Sequence, residues 1–335
     1  MNYTTFKKNF YSQKYSDFTN SLLRLSQKQK GEFLLAATRD KIFDLVCLLG
    51  EFGAPINYTN KNGTNGLMIV AQNLYYRPDL FSKDRDLDFK LAKFFLERMT
   101  SDEINAQDKR SFHADDTIPP YGLPLLNTFT NHPHRYGGVT ALMYLAAHMT
   151  HTICIDLKNP RLENGVFIKT ELVEDTRVQD LIYLFRSYGA QTNIKDAEGF
   201  DCLKYAIEYG NVEAAKALLT FVKPFKNSVS QPSDINAQDI YGNTAYMYVS
   251  SKNKVAGLLE LLEEYNANPN IYNSRFETVI NVASEAWAVD RVKKYAKEYN
   301  NREIQNNDFL KEEHENQIII KDSCDLMTKE DSFEK

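Results

Sequence analysis

Short apolar segments of helical length recur through the middle of the chain. The clearest covers residues 210–219 (GNVEAAKALL), and related segments lie at 45–49, 91–96, 181–185 and 258–262. Segments of this length, with small residues among the apolar ones, predict short helices that pack closely. One helix pair of this kind cannot bury its apolar face alone, so the pattern predicts several pairs that stack on one another.

A second pattern introduces each helix pair. The pentapeptide Ile-Asn-Ala-Gln-Asp occurs at 104–108 and 235–239, and looser forms lie at 53–57, 189–193 and 266–270. A short polar turn follows, and glycine allows such a turn a positive φ or a close approach of neighbouring backbones. A Thr or Asp two residues later can cap the next helix. The markers of the five turns are Gly63, Gly138, Gly199, Gly242 and Phe276.

These turn-led units resemble the ankyrin-repeat family, whose unit of about 33 residues is a turn followed by two antiparallel helices. Successive markers are 75, 61, 43 and 34 residues apart. We therefore place insertions at 75–86, 109–135, 150–174 and 224–233. The resemblance implies an all-α solenoid over residues 31–298, built from an N-terminal helix pair and five units with short turn or hairpin fingers.

The chain departs from the family at one signature. The usual Thr-Pro-Leu-His is altered in every copy, and its His position holds Met68, Met143, Lys204, Met247 and Asn281. We therefore expect the inter-repeat hydrogen bonds made through that His to be absent. By contrast, the resemblance makes the position of Tyr144, Tyr205 and Tyr248 inward-facing, so we expect core side chains whose hydroxyls find partners.

The two ends of the chain differ from the middle in charge. Residues 1–30 carry six bases and one acid, and their apolar residues have helical spacing. We predict a basic helical segment that lies against the first core element; a membrane-surface helix is the alternative. Residues 301–335 carry five bases and ten acids. We predict that 299–335 form an acidic, disordered tail.

Composition limits the function classes. The formal net charge of -5 argues against a general nucleic-acid binder, which needs a basic face. The four cysteines are far apart, without a CxxC pair, which favours a reducing compartment. We find no apolar run of about 20 residues and no signal-peptide core, so we expect a cytoplasmic chain without an integral membrane segment.

Few residues suggest catalysis or metal binding. His132 and His134 precede one predicted helix, whereas His148 and His151 lie at its far end, about 15 Å away, so the pairs cannot share one zinc. The sequence contains no phosphate-binding loop and no hydrolase or metalloprotease motif. We expect no enzyme activity, cofactor, metal or small-molecule substrate. The alternative is an enzyme whose site is built from the inserted loops 75–86, 109–135 and 150–174.

The resemblance implies a protein partner on the concave face, formed by the turn tips and the exposed side of each first helix. The candidate partner-binding residues are Lys61, Asn62, Gln72, Asn73, His148, Glu198, Phe200, Glu208, Tyr209, Ile240, Tyr241, Asn243, Lys252, Arg275 and Glu277. We expect Phe200, Tyr209 and Tyr241 to act as exposed aromatic anchors.

Divergent ankyrin arrays with a Glu-rich C-terminus are similar to type IV-secreted effectors of intracellular bacteria such as Legionella. That resemblance implies secretion into the host-cell cytoplasm and a host protein as the partner. An ordinary solubilising tail is the alternative.

Overall fold

The computed structural model describes residues 2–12, 15–73, 85–109, 137–147, 153–155, 171–173, 177–223, 225, 230–251 and 256–305. The helices are α1 (Tyr3–Ser12), α2 (Tyr15–Leu23), α3 (Gln27–Arg39), α4 (Phe43–Glu51), α5 (Gly66–Asn73), α6 (Arg85–Leu96), α7 (Ser101–Ile104), α8 (Ala141–Ala146), α9 (Arg177–Ser187), α10 (Cys202–Glu208), α11 (Val212–Leu219), α12 (Ala245–Ser250), α13 (Ala256–Glu264) and α14 (Val279–Val282). A last helix, α15, covers residues 286–305.

These helices form two layers of a linear stack. The first helices follow one another in the order α3, α5, α8, α10, α12 and α14, and each contacts the next. The second helices α4, α6, α9, α11 and α13 do the same on the other side. This arrangement confirms the predicted all-α solenoid of an N-terminal helix pair and turn-led units, because each pair buries its apolar face against its neighbours.

The core runs along the whole stack. Four residues after the marker glycine, Leu67, Leu142, Leu203 and Tyr246 are all buried in successive units. Complete burial of one such side chain contributes about 1.5–3 kcal/mol. Because the same position is filled in consecutive units, the core is continuous from one unit to the next.

The residue two positions after the marker begins each first helix, as the sequence predicts. Thr140 Oγ1 accepts from Met143 N at 3.2 Å, and Thr244 Oγ1 accepts from Met247 N at 3.3 Å. In the third unit Asp201 Oδ1 accepts from Lys204 N at 2.9 Å. Each contact satisfies a backbone N–H group at the helix start that has no partner within the helix.

The N-terminal segment is helical, and its apolar side is buried. Phe6, Phe18 and Leu22 are almost fully buried, and the Phe6 and Phe33 ring centroids are 4.7 Å apart. The segment therefore packs on α3, as predicted, and this apolar side does not face outward as a membrane-surface helix would require.

Two boundaries and one local structure differ from the prediction. Helix α3 begins at Gln27, ahead of the predicted start of the solenoid at 31. Helix α15 continues through residue 305, so residues 299–305, which we expected to be disordered, are helical. Within the predicted insertion 150–174, the strands β1 (Ile153–Ile155) and β2 (Glu171–Val173) pair antiparallel. The rest of the tail, 306–335, lies outside the described residues.

Candidate functional site

The turns of the five units lie side by side and form one edge of the stack. We call this surface the turn edge; its described residues are 60–63, 107–109, 137–138, 195–199, 238–242 and 272–276. Each turn is closed by one side chain. Asp196 Oδ1 accepts from Glu198 N at 2.9 Å and from Phe200 N at 2.8 Å. Asn60, Asp108, Asp239 and Asn273 each accept two backbone N–H groups in the same way.

Three of these five side chains are carboxylates, and each also accepts a hydrogen bond from a tyrosine of the following helix. The hydroxyl of Tyr144 donates to Asp108 Oδ2 at 2.6 Å, and that of Tyr205 donates to Asp196 Oδ2 at 2.8 Å. Tyr248 donates to Asp239 Oδ2 at 2.5 Å. These contacts confirm that the hydroxyls at this repeat position find partners. They also fix each turn relative to its own helix.

Neighbouring turns are joined through their backbones. Lys109 N donates to Asn62 O at 2.8 Å, Ile240 N donates to Glu198 O at 3.2 Å, and Ser274 N donates to Tyr241 O at 2.9 Å. Ala197 N completes the series by donating to Gly137 O at 3.3 Å. The turns therefore form a hydrogen-bonded ladder that holds the turn edge as one surface.

This close spacing explains two marker glycines. Gly199 and Gly242 have φ values of 80° and 77°. A Cβ at Gly199 would lie 2.8 Å from Ile240 N, and one at Gly242 would lie 2.8 Å from Ser274 N. Any side chain here would combine an unfavourable φ with a clash against the next turn, so glycine is required.

The repeated pentapeptide connects units through its Asn and Gln side chains. Gln238 Nε2 donates to Gly242 O at 2.7 Å and to Tyr272 O at 2.8 Å. Asn236 Oδ1 accepts from Asn268 N at 2.8 Å, and Asn105 Oδ1 accepts from Gln191 N at the same distance. The two copies of the pentapeptide therefore have the same structural role, because each forms hydrogen bonds to the unit that follows it.

One expectation about inter-repeat bonding is wrong in the third unit. Lys204, at the family's His position, is 1% exposed and donates from Nζ to Ala237 O of the next unit at 2.8 Å. Its Nζ also lies 3.0 Å from Asp201 Oδ2. A lysine here therefore makes an inter-repeat hydrogen bond that we expected to be missing.

The structure separates the predicted partner-binding residues by exposure. Lys61, Ile240, Tyr241 and Arg275 are exposed on the turn edge. A larger group is partly exposed and comprises Asn62, Gln72, Asn73, Glu208, Tyr209, Asn243 and Glu277. Asn73 also has a structural role, because its Nδ2 donates to Thr38 O and Arg39 O. His148 and Lys252 lie outside the described residues.

Phe200 and Glu198 are corrections to the predicted surface. Phe200 is 4% exposed, and its ring packs on Tyr205 and Tyr248 with centroid distances of 6.1 and 5.2 Å. Glu198 is 8% exposed. The Phe200 ring is enclosed by its own and the next unit, and both side chains are too buried to be available to a partner.

Charge is distributed unevenly on the turn edge. Its exposed charged side chains in the described ranges are Lys61, Lys109, Lys195 and Arg275, all basic. The acidic residues of the same segments are Asp108, Asp196, Glu198 and Asp239, and all four are buried. The three aspartates bond to their turns. The edge of this net acidic chain is therefore locally basic.

Sequence reasoning missed Lys109, Lys195, Tyr272 and Phe276 as surface residues. Tyr272 and Phe276 are 62% and 86% exposed. The sequence does contain a signal for Phe276. It replaces the marker glycine of the last unit, and no further turn follows in the described chain to cover its ring.

Metal-ligating side chains do not cluster among the described residues. Within them, no three His, Cys, Asp or Glu side chains could hold a metal ion together. Burial raises the pKa of Cys202 well above its ordinary value, which disfavours the reactive thiolate. The insertions of the alternative enzyme interpretation, and the histidine pairs, fall almost entirely outside the described residues. Among the described helices, none has the length and apolar character to span a membrane.

Comparison with known proteins agrees with this repeat geometry. Residues 173–273 match the family model "Ankyrin repeats (3 copies)". A "Putative ankyrin repeat protein" of Rickettsia bellii (strain RML369-C) is 35% identical over 88 residues, which is 26% of this chain and 48% of that protein. The matched segment thus spans about half of the relative's length. A solved structure titled "Crystal Structure of EF0377 an Ankyrin Repeat Protein" has a TM-score of 0.49 at 16% identity, over 78% of this chain and 96% of that one.

The family model and the Rickettsia relative support the ankyrin-repeat resemblance of the stacked units. Ankyrin repeats are typical of protein–protein interaction modules, and the turn edge is the surface on which the repeated units present their side chains together.

Proposed function

We propose that the chain is a non-catalytic interaction module that binds a partner protein on the turn edge and the adjoining ends of the first helices. The observation that carries this proposal is the ladder of hydrogen bonds between successive turns. It holds exposed side chains of several units in fixed relative positions. A surface ordered in advance loses little conformational entropy when a partner binds.

The candidate anchors are Ile240 and Tyr241. They lie in one turn, are 58% and 46% exposed, and follow the buried Asp239 that fixes the turn. Replacement of both by alanine removes apolar contact area without removing a core side chain. We therefore expect this double variant to fold normally and to lose partner binding.

Capture of binding partners by the full chain tests the proposal. Wild-type protein should retain a partner that Ile240→Ala/Tyr241→Ala does not retain. The matched control is Tyr11→Ala/Leu23→Ala, which removes the same kinds of side chain from exposed positions on α1 and α2. Equal retention by all three proteins would contradict the turn edge as the binding surface.

We further propose that the chain is a bacterial effector secreted into the host-cell cytoplasm, where its partner is a host protein. The support is the excess of ten acids over five bases in residues 301–335. A reporter enzyme fused to the N-terminus of the full chain should reach host cells from bacteria that carry a type IV system.

Replacement of Glu312, Glu313 and Glu315 by Gln should then reduce the transfer of the reporter. The control replaces Glu51, Glu264 and Glu298 by Gln, which removes the same charge from exposed positions in the array and its last helix. Equal transfer of both variants would argue that the tail only solubilises the chain.

A further inference from the structure

The exposed apolar side chains of the turn edge are concentrated at its C-terminal end. In the last two turns, Ile240, Tyr241, Tyr272 and Phe276 are 58%, 46%, 62% and 86% exposed. The described residues of the three earlier turns expose none of comparable size. The two apolar turns are adjacent, because Ser274 N donates to Tyr241 O and Gln238 Nε2 donates to Tyr272 O. The four side chains therefore lie on two hydrogen-bonded neighbouring turns, and we call them the apolar patch.

The turn requires a positive φ at the marker position, and in the last unit a bulky side chain adopts it. Phe276 has a φ of 59°, a conformation that bulky residues rarely adopt. The equivalent residue of every other unit is glycine. Phe276 is also the most exposed large apolar side chain in the described part of the chain, so its ring gains little from packing. Backbone strain of this kind is frequent where a side chain is held for a ligand.

Basic charge accompanies the patch along the edge. Arg275 adjoins Phe276, and Lys195, Lys109 and Lys61 continue the series through the earlier turns. Asp108, Asp196 and Asp239, which could neutralise them, are buried and bonded to the turns. A ligand of the edge thus meets a basic side chain on four of the five turns and an apolar surface at one end.

We propose that the turn edge binds an acidic segment of a partner protein, with an aromatic or aliphatic side chain of that segment seated on the Ile240, Tyr241, Tyr272 and Phe276 patch. This inference rests on the proposed interaction function and names the chemistry of its partner. A peptide suits the edge better than a nucleic acid, because the described turn residues expose four cations and the chain as a whole has a net charge of -5.

Selection from a random 12-residue peptide display library on the full chain tests the proposal. Enriched peptides should be net acidic and carry at least one large apolar residue. A synthetic copy of the most enriched peptide should bind about tenfold or more weakly to Phe276→Gly than to wild type. The control Phe221→Gly removes a similarly exposed ring, outside the turn edge, and should leave binding unchanged.

Phe276→Gly also separates binding from stability. Glycine relieves the strained φ, and an exposed ring leaves no cavity, so the thermal midpoint should not fall. A lower midpoint together with unchanged affinity would show that Phe276 serves the fold and would overturn the proposal.

The charge contribution needs its own variant. Lys61, Lys109, Lys195 and Arg275 are replaced by Gln, and the control replaces Lys28, Lys90, Lys216 and Lys293, which are exposed on helices. The edge variant should bind the acidic peptide at least about tenfold more weakly at low salt, and the difference should shrink at high salt. Equal binding by the two variants would overturn the proposal.

Other occupants of the edge give distinct results. Enrichment of neutral or basic peptides, or retention of poly(dT) by wild type but not by the edge variant, would overturn the acidic-peptide proposal. So would a concentration-dependent dimer that Phe276→Gly dissolves. Peptides that bind Phe276→Gly and the Lys/Arg→Gln edge variant as tightly as they bind wild type would overturn it while leaving protein binding elsewhere intact. An absence of any selected peptide and any captured partner would overturn both proposals.

Discussion

The hydroxyl of Tyr205 donates to Asp196 Oδ2 at 2.8 Å, while Oδ1 of the same carboxylate accepts two backbone N–H groups of its turn. The residue types at these two positions vary together from unit to unit. Units with Asp in the turn have Tyr six residues after the marker glycine, as in Asp239 and Tyr248. The units with Asn60 and Asn273 instead have Ile69 and Val282. An amide serves the turn without a leftover negative oxygen, so no phenol is needed there.

The first prediction concerns this pair. Tyr205→Phe removes one hydrogen bond from a buried carboxylate, and such bonds to charged groups contribute about 1.5–3 kcal/mol. We expect the free energy of unfolding, measured in urea, to fall by about that amount. Tyr272→Phe, which changes an exposed hydroxyl, should alter it by less than about 0.5 kcal/mol. Similar losses for both variants would contradict the importance of the carboxylate contact.

The sequence predicted the register of the units correctly because their markers reflect backbone constraints. Gly199 and Gly242 are fixed by positive φ and by contact with the next turn, and both requirements leave a clear sequence signature. The burial of Phe200 left no such signature. It depends on Tyr205 and on Tyr248 of the following unit, so it follows only from the placement of two units in space.

The same limit applied to Lys204. A lysine in place of the family's His looked like a lost hydrogen bond, because its reach to Ala237 O depends on the distance between units. The exposure of side chains on the turn edge is also hard to predict from the sequence. The family resemblance identifies Ile240 and Tyr241 as surface residues, whereas the sequence pattern identifies Phe276 only as the marker of its turn.

The second prediction separates strain from contact at the turns. Gly53 and Gly242 have nearly equal φ values of 76° and 77°. A Cβ at Gly53 would meet nothing within 4 Å, whereas one at Gly242 would lie 2.8 Å from Ser274 N. Gly53→Ala should therefore lower the free energy of unfolding by about 1–2 kcal/mol, from backbone strain alone. Gly242→Ala should cost about 1–3 kcal/mol more, because the next turn must move. Equal thermal midpoints for the two variants would exclude a role for the turn ladder.

The third prediction is a loss of stability in alkaline solution. Burial, the hydrogen bond to Asp239 and its charge raise the pKa of Tyr248; burial and the Glu263 charge raise that of Tyr246. The folded state therefore keeps these protons when the unfolded state, with a tyrosine pKa of about 10, releases them. The resulting stabilisation is complete below pH 10 and is lost as the pH rises above it.

Free energies of unfolding measured in urea between about pH 9 and 11 test this sign. They should decrease with pH, and the decrease should be less steep in Tyr246→Phe and Tyr248→Phe, which have no phenol proton to lose. Slopes that match the wild-type slope would show that these two hydroxyls are not responsible.

The last prediction concerns the buried pair of Asp201 and Lys204, which are 3% and 1% exposed. Lys204→Met removes the ammonium group and leaves Asp201 Oδ2 as a buried charge without its counter-ion. Loss of one member of such a pair costs about 3–5 kcal/mol. The neighbouring units show how the same position works without charge, because they combine Thr140 with Met143 and Thr244 with Met247.

Asp201→Thr/Lys204→Met gives the third unit this pattern. The threonine keeps the cap on α10, and the methionine fills the space of the lysine stem. Both members of the ion pair leave together, so no buried charge remains, and the bond from Lys204 to Ala237 O is lost. We expect the double variant to lose about 1 kcal/mol relative to wild type and to be clearly more stable than Lys204→Met. If the double variant were as unstable as Lys204→Met, the inter-unit bond would outweigh the ion pair. The replacement lysine would then be a necessary link between the third and fourth units and not merely the counter-ion of a helix cap.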